Sequence, residues 1–220
     1  MCAKYDREHP TYNKSLSHFR EVLGVRMQAE ETLLQIDLSD AMQVRVMIDL
    51  FANPWGAKLP AWDSPDRDDG VATIREWWRR CRRCDALPAV TERLVAADDV
   101  QHRVGPYGWL SNSIARPRLN RRLGPTAASK LAYVARPYFY IAWDVDIRAA
   151  LGTRKGTADD YEAFLLTAQQ RMRELLPGIE RSADAARLKD AERSFCISIG
   201  QPDCTLAEAI NKYCWCKARE

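Results

Sequence analysis

Short helical runs, each closed by proline or glycine, constrain this chain more than any other feature of its sequence. Apolar residues recur three and four positions apart, the spacing that lines one face of a helix. Ser15 caps an expected segment running to Gly24, and Met27, Leu33, Leu34 and Leu38 share a face over 27–38. Ser39 caps the next, with Val44, Met47, Leu50 and Phe51 aligned before Pro54 stops it. Further helices are expected over 71–83, 88–97, 125–135, 144–152, 157–176, roughly 180–195, and 205–217. Pro125 suits a first helical turn, and Thr157 with Asp160 forms a capping box in which Asp replaces the usual Glu. YFYIAW at 138–143 is strand-like in residue type but has no partner run, so it is expected to be an extended connection. The sum is an all-α fold of about eight to ten helices in two packed lobes.

At 220 residues the chain suits a single helical domain over 15–220, preceded by a polar, flexible start over 1–14. Residues 53–70 hold three prolines and two glycines and mark the connection between lobes. Hydrophobic residues at 46% and charged residues at 29% exclude wholesale disorder. No apolar run reaches the ~20 residues of a membrane helix. The N-terminus lacks an apolar signal core, so a cytoplasmic protein with no membrane partner and reduced cysteines is expected.

The net charge is only +3, yet residues 101–123 carry five arginines and no acid. Such a stretch is either a basic face for a polyanion or a solvated loop, with turns expected at Gly105-Pro106 and Arg116-Pro117.

The window 121–152, RRLGPTAASKLAYVARPYFYIAWDVDIRAALG, runs from basic turn to glycine, helix, aromatic connection, and an Asp that opens another helix. It resembles the helix–hairpin–helix DNA glycosylase superfamily over a core of about 118–152. The stretch SKLAYVARPYFYIAWDVDIRAALG is similar to bacterial proteins with an oxoguanine-glycosylase-like fold. In that likeness Gly124 stands at the hairpin glycine and Pro125–Ala135 is the second hairpin helix. Asp144, twenty residues after Gly124, stands at the catalytic carboxylate. The family's hairpin carries more glycines than the R-R-L-G-P found here, and the lysine usual at the start of the second helix is absent.

The resemblance implies a DNA N-glycosylase that excises a modified or damaged base flipped out of duplex DNA, monofunctional rather than a lyase, with no cofactor. Asp144 would stabilise the oxocarbenium-like sugar and orient water. Lys130, one turn into the helix, is the second catalytic candidate. Trp143, Tyr138 and Tyr140 would line the base pocket, with Tyr107 or Trp109 as a wedge. Arg116, Arg118, Arg121 and Arg122, with Gly124 and Thr126 at a helix start, would hold phosphates. Two substrates are expected from kinship: an oxidised purine in repair, or a bulky modified base of phage DNA in defence.

Each assignment has a plainer counterpart. Asp144 can be only a helix cap, Lys130 a solvent-facing lysine, and the aromatic residues core. Asp146, two positions on, faces elsewhere and suits a cap or surface role. Cys81 and Cys84 have CxxC spacing, but the C-terminal cysteines do not complete a recognisable metal pattern, so no metal is expected. The absence of a P-loop, GxGxxG or HExxH motif removes nucleotide-cofactor and zincin chemistry. The alternatives to an enzyme are a non-catalytic DNA-binding module of the same fold and an all-α protein-interaction domain.

Overall fold

The computed structural model describes residue 7 and residues 36–53, 57, 59–60, 65–116, 120–153, 155–176 and 185–220. The expected flexible start, the segments from Ser15 through residue 35, and residues 54–56, 58 and 61–64 of the expected 53–70 connection lie outside the described residues; the last four residues of that connection, 67–70, are helical instead. The protein is mostly helical, with two short strands.

Helix α1 (Ala41–Val46) continues into a π-helical turn, Met47–Ala52. Its cap is Asp40, which accepts from the Met42 N–H at 2.8 Å; Ser39, the expected cap, instead donates to Asp37. Helix α2 (Arg67–Arg83) buries Val71, Ile74, Trp77, Trp78 and Cys81 at helical spacing. Asp68 and Asp69 in its first turn and Arg80, Arg82 and Arg83 in its last match the helix dipole.

Two expectations fail beyond α2. No helix forms over 88–97, where only a 3₁₀ turn, Leu94–Ala96, is present. Tertiary partners take its backbone groups: Leu94 N–H donates to the Tyr138 carbonyl, and Gln169 Nε2 donates to the carbonyls of Leu94 and Ala97. Conversely, the expected turn at Gly105-Pro106 lies inside helix α3 (Val100–Asn112). Proline in a helix interior removes a hydrogen bond and crowds the preceding turn. Packing outweighs that cost here. Trp77 Nε1 donates to the Pro106 carbonyl at 2.8 Å, and Tyr107 and Leu110 are fully buried. Gly108 lets α3 approach Ala158 so closely that an added Cβ would lie 3.2 Å from the alanine's own.

The basic stretch then forms an antiparallel hairpin, β1 (Ile114–Arg116) and β2 (Arg121–Arg122), with Ile114 opposite Arg122. These strands depart from a purely helical reading, and are too short for alternation to reveal. Helix α4 (Gly124–Ala135) follows, then α5 (Val145–Ala150), α6 (Ala158–Leu175), α7 (Ala185–Ser198) and α8 (Leu206–Lys217). The Thr157–Asp160 capping box is present at α6.

The connection between α4 and α5 has no ladder partner yet runs through the core, with Phe139, Tyr140, Ile141 and Trp143 fully buried. Side chains satisfy its backbone instead. Thr205 Oγ1 donates to the Pro137 carbonyl and Tyr161 Oη to that of Ile141. Asn211 Nδ2 bonds the Ala142 carbonyl. One hydrophobic cluster extends from Ile36 to Cys216 among the described residues.

Candidate active-site cleft

A cavity of about 570 Å³ opens where the β hairpin meets α4, bounded also by the start of α5 and the end of the chain. The chain must turn sharply there. Gly124 does so at φ +80°, and an added Cβ would meet nothing, so backbone conformation and not space calls for glycine. Pro125 then occupies the first turn of α4. Thr126 and Ala127 complete this side of the cavity.

Two polar staples hold α5 against α4. Ser129 Oγ donates to the Trp143 carbonyl at 3.2 Å and accepts from the Trp143 N–H at 3.1 Å. Arg148 Nη1 donates to Thr126 Oγ1 at 3.0 Å and to the Trp143 carbonyl at 3.2 Å. Gly156, at φ +64°, presses on both partners: a Cβ there would lie 2.8 Å from Pro125 and 2.9 Å from Arg148. The staples therefore fix the residue after Trp143.

That residue, Asp144, caps α5 and also borders the cavity. Both cap bonds, from the N–H groups of Asp146 and Ile147 at 3.0 Å, go to Oδ1. Oδ2 receives no hydrogen bond from any described residue. Lys130 lines the same cavity and is only 6% exposed, so the solvent-facing alternative does not hold. Burial pulls its ammonium down to about 8; the Asp144 charge opposes that shift and Arg148 adds to it. Arg148 is likewise lowered by burial.

The phosphate-binding candidates divide. Arg121, Arg122, Gly124 and Thr126 all line the cavity, with both arginines exposed. Arg122 Nη1 donates to Asn112 Oδ1 at 2.9 Å. Arg118 and the side chain of Arg116 lie outside the described residues.

The aromatic candidates sit elsewhere. Trp143 is fully buried, stacked on Phe164 with centroids 5.2 Å apart, and donates from Nε1 to Tyr107 Oη. Tyr140 is fully buried and donates to the Arg103 carbonyl. Tyr138 is half-buried beneath the Arg93 guanidinium. None of the three lines the cavity, and among the described residues lining it none is aromatic. Trp143 serves the cavity through its backbone, by holding Asp144. The wedge candidates are also engaged in packing: Tyr107 donates to the Gly156 carbonyl, and Trp109 lies under Arg80.

Sequence reasoning missed one wall. Arg219 lines the cavity and pairs with Asp146 through Nε at 2.9 Å and Nη2 at 2.6 Å. The two residues are 73 positions apart, so no local pattern signals the pair. Of the CxxC cysteines, Cys81 is buried and Cys84 exposed, and burial pushes the Cys81 thiol up to about 12. Among the described residues no three metal-ligating side chains come together, and no helix is long and apolar enough to cross a membrane.

No family model matches this chain, and no curated protein or solved structure matches it.

Proposed function

We propose that this protein is a DNA N-glycosylase of helix–hairpin–helix type that excises a modified base through Asp144. One observation carries the reading. Asp144 and Lys130, fourteen residues apart, share the wall of one cavity whose rim holds Arg121, Arg122 and the first turn of α4. The order of elements supports it: α3, basic hairpin, α4, a buried connection, then an Asp opening α5.

The chemistry follows from the positions. As the glycosidic bond breaks, its electron pair leaves with the base and positive charge builds near C1′ of the sugar. The Asp144 carboxylate stabilises that charge and orients the water that attacks C1′. The described lining joins charged side chains such as Arg121, Lys130 and Asp144 to apolar ones such as Leu59, Pro60 and Val145, a mix that meets the flat face of a base with apolar contact and its edge with hydrogen bonds.

The test is a panel of duplexes carrying different modified bases, developed with alkali to reveal abasic sites. Asp144→Asn is expected to lower excision by at least about a hundredfold. The variant should stay folded, because Asn caps helices as well as Asp. Equal product from both proteins would remove Asp144 from the reaction.

Lys130 supports a second reading. A buried amine titrating near 8 is largely available as a nucleophile in mildly basic solution. It would attack C1′ as the base departs with the glycosidic electron pair; opening of the sugar ring at the C1′–O4′ bond, with a proton passing from the amine to O4′, then gives an imine that borohydride traps as a covalent protein–DNA adduct. Absence of an adduct while excision proceeds would leave the monofunctional course.

A further inference from the structure

We infer that Arg219, at the end of the chain, is a strand-binding residue of this cleft that takes a backbone phosphate of the DNA. The inference rests on reading the cavity as a DNA cleft and adds a wall that the helix–hairpin–helix likeness does not supply.

Arg219 is placed by the last turn of α8. Its N–H donates to the Cys216 carbonyl, and the neighbouring Ala218 N–H donates to that of Cys214. Its guanidinium lies 4.1 Å from the ring centroid of Trp215, a side chain buried in the core. Two of its N–H groups converge on Oδ2 of Asp146. Even so, the Arg219 side chain is 44% exposed and its partner 36%. An ion pair this open adds little stability. Its consequence is orientation: a long side chain held between a ring and a carboxylate loses little freedom when it meets a ligand. The planar fork of arginine suits a phosphate group.

The charge balance points the same way. Arg121, Arg122, Lys130 and Arg219 line the cavity against the carboxylates of Asp144 and Asp146. Among these described residues the surplus is cationic although one acid is proposed for catalysis, which favours a ligand that brings negative charge. The cations come from three separate elements, β2, α4 and the end of α8, which suits an extended polyanion more than a single small ion.

The test measures binding of a labelled duplex across about 50 to 200 mM salt for wild type, Arg219→Gln and Arg219→Lys. Wild type should show a steep loss of affinity with salt. The glutamine variant should bind more weakly, with a slope of log K against log salt shallower by about one. The lysine variant should recover that slope, and all three should melt alike. A glutamine variant with the wild-type slope overturns the role of Arg219 while leaving the cleft reading intact. A wild type with no salt-dependent binding sinks both. Inorganic phosphate at matched ionic strength is a third arm. If it abolishes the difference between wild type and Arg219→Gln, the residue takes a free anion and the strand assignment falls.

Discussion

Asp144 anchors α5 with one oxygen only, and as a residue of the cavity wall it keeps the other for the role proposed above. Lys130 is costly by comparison, because burial disfavours its charged form. The folded pKa, about 8, lies below the ordinary lysine value of 10.5, so the unfolded chain binds more protons between those limits. Stability should therefore rise as pH increases from about 8 to about 10.5, by an amount on the order of 3 kcal/mol. Lys130→Met should flatten this rise. Denaturant unfolding at intervals across that window checks both, and an unchanged rise in the variant would assign the effect to another group. At this scale Asp144 was legible, because capping is local. The burial of Lys130 was not: a lysine on a helix reads the same whether its face meets water or α5.

Among the elements, the junction of the hairpin and α4 matters most, and glycine controls it twice. Gly124 and Gly156 both lie in the left-handed region, but only Gly156 is crowded. Gly124→Ala should cost about 1 kcal/mol, the strain of a methylated residue at positive φ. Gly156→Ala adds a clash with Pro125 and Arg148 and should cost more, about 2–3 kcal/mol. It should also weaken duplex binding by displacing the first turn of α4. Equal costs for the two substitutions would show that Gly156 relaxes without moving its neighbours. α4, α5 and α6 could be read from the sequence because each starts with its own signal: Pro125, Asp144, and the Thr157–Asp160 box. α3 could not. Its glycine–proline dipeptide signals a turn locally, and the burial of Tyr107 and Leu110 and the Trp77 bond to the Pro106 carbonyl, which favour the helix, come only with the fold.

Across the whole molecule, a buried ion pair ties distant parts together. Arg93 Nε donates to Glu192 Oε2 at 2.9 Å, with side chains only 2% and 8% exposed. The other oxygen of Glu192 accepts from the Leu206 N–H at the start of α8. Arg93→Met leaves that carboxylate buried without its cation and should destabilise the fold by about 3–5 kcal/mol. Chemical denaturation checks this. A loss below about 1 kcal/mol would mean that water reaches the site. Because α8 leads into Arg219 and positions it through the Cys216 carbonyl, loosening the start of the helix should also weaken duplex binding.

The sequence by itself determined the helical character of this protein, most helix starts, the break between helices at 138–143 and the capping position of Asp144. All of these depend on side chains acting within a turn or two of their own backbone. Tertiary structure alone decided the 3₁₀ turn at 94–96, the continuous α3, the burial of Trp143 and Tyr140 away from the cavity, and the arrival of Arg219 beside Asp146. Each depends on a partner dozens of residues away, and the free energy of such a meeting leaves no trace in local spacing.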